Sequence, residues 1–229
     1  MDTGRKLVAE AIGTFLLCFA GIAAILSTQP PVNSGIGLVG IALAHGLAFS
    51  IAISTFGGIS GGHHNPAVTL GFLTVGRISV VLAVLYIVSQ LVGATIAAIA
   101  CKYIFPDLAV TKGMLGIPLP ADGVTVPVVL VTEFILTFLL MTSVYGVAVD
   151  ERGKSVKIGS FAIGLTVTFG ILGAGAISGA SMNPARSFGP ALVANHFDWH
   201  WCYWVAPVAG AIVAALLYEY VLLDKEPAP

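Results

Sequence analysis

Long apolar stretches separated by short polar breaks dominate the chain. Six of these stretches are about 20 residues long, the length that an α-helix needs to cross the ~30 Å hydrocarbon core of a lipid bilayer. They cover roughly residues 7–26, 36–56, 80–101, 127–149, 158–178 and 203–223. The pattern predicts an all-α membrane protein with six transmembrane helices.

Two polar motifs, residues 61–69 and 179–187, follow the second and the fifth apolar stretch. Both contain the tripeptide Asn-Pro-Ala, which is Asn65, Pro66 and Ala67 in the first copy and Asn183, Pro184 and Ala185 in the second. Asn is a preferred helix N-cap, and Pro suits the first helical position because the N–H that it lacks would have no partner there. Each motif therefore predicts the start of a helix.

The helices that these motifs start are predicted to be short. Their apolar runs extend from residue 67 to about 76 and from residue 185 to about 194. At ~1.5 Å per residue, each run spans roughly half of the hydrocarbon core. We therefore expect two re-entrant half-helices that stop inside the membrane.

Three pairs of similar segments relate the second half of the chain to the first. They are 9–17 with 132–140, the two Asn-Pro-Ala motifs, and 90–94 with 207–211. We interpret residues 1–229 as one transmembrane domain built from repeats 1–105 and 127–229, which an outer loop of residues 106–126 joins. Because each repeat holds three spans, the second must be inverted, and the half-helices then meet near the midplane. Non-helical backbone at that depth predicts a water-filled cavity or a binding site.

The composition agrees with an integral membrane protein. Hydrophobic residues make up 57% of the 229 residues and charged residues 9%, whereas soluble domains carry about 25% charged residues. The formal net charge of −1 offers no basic face, so we expect no nucleic-acid partner. Cys18, Cys101 and Cys202 lack metal-ligand spacing, and we expect neither a metal nor a cofactor. The N-terminus leads into the first span without the cleavage pattern of a signal peptide.

The distribution of Lys and Arg predicts the orientation. With both termini in the cytoplasm, the cytoplasmic side holds Arg5, Lys6, Arg77, Arg152, Lys154, Lys157 and Lys225. The outer loops hold only Lys102 and Lys112, while Arg186 belongs to the second re-entrant segment. This asymmetry follows the positive-inside rule.

With six spans, an inverted repeat and two Asn-Pro-Ala half-helices, the sequence resembles the aquaporin (major intrinsic protein) family over essentially its whole length. The pair of motifs carries the resemblance, because one Asn-Pro-Ala alone is an ordinary helix start. The resemblance implies the aquaporin fold and a homotetramer with one pore per protomer. We expect the cell (plasma) membrane as its location, with a vacuolar-type membrane as the alternative.

The resemblance places the family's four filter positions on His45, Ile171, Ala180 and Arg186. This set is similar to that of plant tonoplast-type and ammonia-permeable members, and it lacks the aromatic and the histidine that strict water channels carry at the first two positions. Ser187 stands where glycerol facilitators typically carry aspartate. We therefore expect a filter that passes water and neutral ammonia.

Four polar side chains, those of Asn65, Asn183, Arg186 and His45, are candidates for contact with a solute. Asn65 and Asn183 can cap their half-helices with the side-chain oxygen and point the amide N–H₂ at the lumen. Arg186 should face the pore or a partner, because a charge inside the membrane costs at least ~2.5 kcal/mol. For His45, the alternative is a core histidine whose hydrogen bonds are satisfied by protein.

Five further polar residues have candidate roles around the pore. Glu10 and Glu133 occupy equivalent positions of the repeat. Buried acids need hydrogen-bond donors, so we expect these two to accept from backbone N–H groups of the re-entrant loops and thereby support the loops. Gln90 is expected to support the loops in the same way. His63 and His64 are candidates for the cytoplasmic entrance, where His64 would respond to pH. Adjacent residues do not point in one direction, so we expect no metal site at this pair.

The leading hypothesis is a passive channel for water and small neutral solutes that excludes protons and ions. The alternative is a coupled secondary transporter, because inverted repeats and broken helices also occur there. In that case Glu10 and Glu133 would relay protons. An intramembrane enzyme would need a nucleophile with a base, and no third group supports Ser60 and His63 in such a role, so we expect no enzymatic activity.

Overall fold

The computed structural model describes residues 2–154 and 158–224, and within these ranges the chain forms helices and turns without a strand. The helices are α1 (Thr3–Ser27), α2 (Gly37–Ser60), α3 (Pro66–Thr74), α4 (Val80–Ile104), α5 (Asp107–Lys112), α6 (Val126–Val144), α7 (Glu151–Lys154), α8 (Gly159–Ser178), α9 (Pro184–Ala194) and α10 (Cys202–Leu217). A 3-10 turn follows α5 at Met114–Gly116, and π-helical turns extend α6 at Tyr145–Val149 and α10 at Tyr218–Leu222.

Six of the described helices are long and apolar enough to cross a membrane, namely α1, α2, α4, α6, α8 and α10. Large apolar side chains, such as Val81 on α4 and Val131 on α6, are exposed on their outer faces, as expected for contact with lipid. The prediction of an all-α membrane protein with six transmembrane helices is confirmed. Lys157 and Lys225, which contributed to the predicted orientation, lie outside the described residues.

Two short helices follow the second and fifth spans. α3 has 9 residues and α9 has 11, which at ~1.5 Å per residue gives lengths of roughly 14 and 17 Å, about half of a hydrocarbon core. Both begin at the proline of an Asn-Pro-Ala motif. The sequence therefore located the starts of both half-helices.

The two halves show the same helix contacts, and further contacts join one half to the other. α1 packs on α4 as α6 packs on α10, and α2 packs on α8. Each half-helix packs on the third span of the other half, so α3 contacts α10 and α9 contacts α4. The two halves are thus interlocked through their re-entrant segments.

Glycines allow the closest of these contacts. A Cβ on Gly93 of α4 would overlap the backbone carbonyl of Ala11 on α1, and a Cβ on Gly210 of α10 would overlap that of Phe134 on α6. These two positions correspond in the repeat. In a membrane, where helices associate by packing, such small residues let the backbones approach.

The loop between the halves covers one end of the bundle. The Ala121 N–H donates to the Ile177 carbonyl at the end of α8 at 3.0 Å, which ties the loop to the second half. Leu115 is buried against the first half. Leu115 and Gly116 have left-handed φ values of 49° and 70° and turn the chain toward the centre of the bundle.

At the opposite end of the bundle, Asp150 joins three elements. It accepts hydrogen bonds from the Arg152 side chain of α7 and from the Tyr218 hydroxyl beyond α10, the latter at 3.2 Å. Arg152 also donates to the Leu222 carbonyl at 2.7 Å. The bonds to the Arg152 guanidinium lower the pKa of the Asp150 carboxyl to about 2.

Candidate functional site

Each half-helix begins with an asparagine that caps it. Asn65 has an extended backbone (φ −157°), and its Oδ1 accepts from the Ala67 N–H at 2.9 Å. Asn183 Oδ1 likewise accepts from the Ala185 N–H at 2.9 Å and from the Arg186 N–H at 3.3 Å. The side-chain oxygens thus satisfy N–H groups that a helix start leaves without intrahelical partners.

The amide nitrogens of the two asparagines reach across to the other half. Asn65 Nδ2 donates to the Met182 carbonyl at 2.8 Å, and Asn183 Nδ2 donates to the His64 carbonyl at 2.9 Å. His64 and Met182 have left-handed φ values of 46° and 53°. An amide nitrogen carries two N–H groups, so each asparagine has a second donor for a group in the cavity that both line.

The first re-entrant loop is held by a buried carboxylate. Glu10 Oε1 accepts from the Ser60 hydroxyl at 2.6 Å and from the His63 N–H at 3.0 Å. Glu10 Oε2 accepts from the His64 N–H at 2.6 Å and from Gln90 Nε2 at 2.7 Å. Four donors compensate for burying this group, which is 0% exposed.

Glu133 holds the second loop in the same manner. Its Oε1 accepts from the Ser178 hydroxyl at 2.7 Å and from the Ser181 N–H at 2.9 Å, and its Oε2 accepts from the Met182 N–H at 2.8 Å. Both carboxylates therefore bind the residue that presents its carbonyl to the opposite asparagine. Through the backbone, the acids position the two pore-facing amides.

A narrow cavity lies where the half-helices meet. Its volume is about 10 Å³, which is roughly the space of one water-sized sphere. It brings together the two asparagines and all four filter candidates, which are Asn65, Asn183, His45, Ile171, Ala180 and Arg186. Apolar side chains from both halves complete the wall, namely Leu17 with Leu140 and Phe49 with Val167. The cavity therefore combines a few polar groups with a mostly apolar lining.

The His45 ring lines this cavity and is fixed by contacts at both of its nitrogens. Its Nδ1 lies 2.8 Å from the Ile41 carbonyl oxygen. Because a carbonyl can only accept, Nδ1 must carry the proton, and Nε2 of the neutral ring then has a lone pair. Nε2 faces Arg186 NH2 at 3.4 Å. The core-histidine alternative is thus partly met, since one nitrogen is satisfied by protein while the ring also lines the cavity.

Arg186 is fixed by the outer loop. Its NH1 donates to the Gly116 carbonyl at 2.6 Å, and the side chain is only 3% exposed. The contact draws one arm of the guanidinium toward the loop and leaves other N–H groups at the wall of the cavity, which Arg186 also lines. A fixed cation with several donors therefore stands at the constriction.

Wider cavities open at both ends of the constriction. The outer one, of about 300 Å³, shares His45, Ile171 and Arg186 with the narrow cavity. The inner one, of about 240 Å³, shares Phe49 with it and is also lined by His63. The three cavities follow one another across the bundle, with the narrow one in the middle.

The two adjacent histidines lie in different environments. His63 lines the inner cavity, and its Nδ1 is 3.1 Å from the Thr69 hydroxyl. His64 is 0% exposed, with its ring against Gly13 and its Nδ1 3.6 Å from Glu10. The expectation that His64 lies at the entrance is therefore not met, because the ring points into the protein between α1 and α2. Among residues 2–154 and 158–224, no group of three His, Cys, Asp or Glu residues could hold a metal ion.

Sequence reasoning missed two tyrosines that also hold the loops. The Tyr86 hydroxyl donates to the Ser60 carbonyl at 2.7 Å, and the Tyr203 hydroxyl donates to the Ser178 carbonyl. Both tyrosines are 1% exposed. They stand four residues before the repeated segments 90–94 and 207–211, so a longer alignment of the repeat would have paired them.

Comparisons with known proteins agree with this architecture. The chain is 41% identical to "Aquaporin TIP4-4" of Zea mays over 98% of this chain and 90% of that protein. It is 42% identical to "Aquaporin TIP2-1" of Arabidopsis thaliana over 96% of this chain and 88% of that protein. It is 43% identical to "Probable aquaporin TIP3-2" of Arabidopsis thaliana, with 98% and 86% covered. Because such relatives are of the tonoplast type, they do not support the expected plasma membrane.

The fold and the family are shown by two further matches. The structure of the aquaglyceroporin from Plasmodium falciparum superposes with a TM-score of 0.87 at 23% identity, covering 96% of this chain and 97% of that one. The sequence profile of the family described as "Major intrinsic protein" matches residues 1–218. Members of this family are channels, which supports the expectation of a non-enzyme. The chain, an integral membrane protein with several spans, belongs to the major intrinsic protein, or aquaporin, family.

Proposed function

We propose that the chain is a passive channel that conducts water and neutral ammonia and excludes protons and ions. The observation that carries this proposal is the narrow cavity between the half-helices, together with the wider cavities on either side of it. A space for roughly one water-sized sphere admits molecules in single file. The mostly apolar wall offers few groups that would retain them.

Proton exclusion follows from the two asparagines. If both second N–H groups donate to one water, its oxygen is occupied and both its hydrogens point away along the pore. A continuous chain of waters that passes protons then cannot form at this point. The positive ends of α3 and α9 meet at the same place and repel cations.

Passage of ammonia is supported by the composition of the filter. Ile171 and Ala180 contribute apolar surface, and Arg186, held beside His45 Nε2, contributes hydrogen-bond donors. Neutral ammonia can accept a hydrogen bond from Arg186, whereas ammonium has no lone pair and would meet the charge of Arg186. Ammonia is also close to water in size, as the narrow cavity requires.

The bonding of the two membrane acids argues against a coupled transporter. Glu10 and Glu133 hold the loops through donors that include backbone N–H groups. A carboxyl that relayed protons would have to give up such bonds in each cycle. We therefore assign Glu10, Glu133 and Gln90 to support of the loops.

The function is tested with purified protein in liposomes. Osmotic shrinkage is followed by stopped-flow light scattering, and ammonia entry is followed with an internal pH dye. We expect both rates to exceed those of protein-free vesicles and to be unchanged by an uncoupler. Water conduction with ammonia at the bare-lipid rate would contradict the proposed filter, and uptake that an uncoupler abolishes would identify a coupled transporter.

We further propose a homotetramer in a vacuole-type membrane with both termini in the cytoplasm. The tonoplast-type relatives support the membrane, and the even number of spans in the fold supports termini on one side. Fluorescence protease protection of a C-terminal fusion in plant cells, with a vacuolar marker, tests location and orientation. Chemical cross-linking in liposomes tests the tetramer, and a ladder ending at the dimer would contradict it.

A further inference from the structure

A glycine on the neighbouring helix creates the space for the His45 ring. Gly21 lies in α1, and a Cβ built on it would overlap the Nε2, Cδ2 and Cε1 atoms of the imidazole. A residue larger than glycine would therefore force either the ring or the helix to move, as overpacking does in other well-packed interiors.

The ring has few directions in which to move. Its Nδ1 is bound to the Ile41 carbonyl of its own helix, and its Nε2 faces Arg186. The ring also lines both the narrow cavity and the outer cavity. Because α1 closes the side at Gly21, the free space lies on the opposite side of the ring, in the pore.

The internal repeat offers a comparison within the same chain. In the repeat alignment, Gly21 corresponds to Val144 and His45 corresponds to Ile163. Val144 and Ile163 both line the inner cavity, where two branched aliphatic side chains occupy the equivalent positions. Of the two equivalent positions, the one that packs against an aromatic ring, His45, is therefore the one that carries glycine.

We propose that Gly21 is a positioning residue of the filter. It seats the His45 ring against α1, and so it keeps the constriction open and keeps Nε2 in contact with Arg186. This inference rests on the proposed function and deepens it, because the width and polarity of the filter then depend on a residue that does not line the pore.

The experiment compares Gly21→Ala in two backgrounds, one with His45 and one with His45→Ala. Water and ammonia permeability are measured in liposomes and normalised to the amount of folded protein. We expect Gly21→Ala to lower both permeabilities roughly tenfold when His45 is present, because the displaced ring obstructs the constriction. In the His45→Ala background the same change should have an effect below about twofold, since the two residues act through one contact.

Two other glycines provide matched controls. An added Cβ on Gly58 of α2 meets nothing within 4 Å, so Gly58→Ala should leave permeability unchanged. An added Cβ on Gly13 of α1 would overlap the His64 ring, which is buried outside the cavity. Gly13→Ala should therefore lower thermal stability without any dependence on His45.

The outcomes separate this inference from the proposed function. A wild-type chain that conducts no water contradicts the function itself. If the wild-type chain conducts water and Gly21→Ala has equal effects in both backgrounds, the proposed role of Gly21 is overturned while the proposed function stands. If Gly21→Ala does not yield folded protein, recovery of folded protein on adding His45→Ala supports the ring contact, and lack of recovery contradicts it.

Discussion

At the scale of the residue, Arg186 is the side chain that we propose determines which solutes the constriction rejects. It is a buried cation bound to the Gly116 carbonyl and placed 3.4 Å from His45 Nε2. A fixed charge at the narrowest point raises the barrier for every cation and also occupies volume. The charge and the volume come from one side chain, so replacing Arg186 should remove both.

We predict that Arg186→Val increases the permeability of the channel to urea and to potassium by at least about tenfold, because charge and bulk are lost from the filter. Urea entry is measured by vesicle swelling and potassium flux with a voltage-sensitive dye. Arg5→Val, the same change at an exposed arginine near the N-terminus, is the control. Unchanged selectivity in Arg186→Val would remove Arg186 from the filter.

His64 shows that a buried polar side chain need not serve the pore. Neither of its ring nitrogens has a hydrogen-bond partner in the part of the chain that the structure describes. We predict that His64→Leu raises the apparent Tm by about 2–4 °C, the effect of ~1 kcal/mol in a protein of this size, because an unsatisfied polar group is removed. Water permeability should be retained. His63→Leu, which loses the contact with Thr69, should instead lower Tm.

At the scale of the element, the re-entrant loops and the loop after α6 are held by carboxylates in different surroundings. The acids behind α3 and α9 lie inside the bundle, whereas Asp150 lies between α7 and the end of α10 and pairs with Arg152. Because this pairing depresses the pKa of Asp150 in the folded state, its stabilising effect is present above the unfolded value and is lost as pH falls through the folded value.

We predict that Asp150→Asn lowers the Tm of the purified protein by a constant amount between pH 5 and 8. The pKa of Asp150 is about 2 in the folded protein and that of a free aspartate carboxyl is 3.8, so this difference is lost below about pH 4. Thermal unfolding in detergent at several pH values measures it. A difference that shrinks between pH 8 and 5 would mean that another titrating group controls this loop.

At the scale of the whole molecule, the two halves complete each other. α3 of the first half packs on α10, and α9 of the second packs on α4. We predict that residues 1–105 and residues 127–229 give no water permeability when each is produced alone, and that joint production restores conduction, because each half-helix then finds its span. Osmotic shrinkage of vesicles measures this. Conduction by one half alone would show that the interlocking is dispensable.

Much of the fold could be predicted from the sequence because length and spacing determine it. Apolar length marked the spans, and Asn-Pro marked the starts of α3 and α9 within a residue. His64 could not be placed in this way, because the room for its ring is made by Gly13 on another helix. The pattern along the chain does not show into which space between helices a loop side chain such as that of His64 points.

The same limit applies to the partner of Arg186. The acceptor is the main-chain carbonyl of Gly116, and any residue type has a carbonyl. Its position depends on the left-handed turn at Leu115 and Gly116, which brings the outer loop down to the filter. The repeat could not indicate this contact either, because the loop joins the halves and has no counterpart in them.

The crossed bonds of the asparagines bear on how a duplicated gene can diverge. Asn65 and Asn183 bind the carbonyls of residues 182 and 64, and a carbonyl is retained whatever side chain a residue carries. After duplication, codons 64 and 182 could therefore change independently, provided that the left-handed turn was kept. One position carries histidine and the other methionine, while both keep a left-handed main chain.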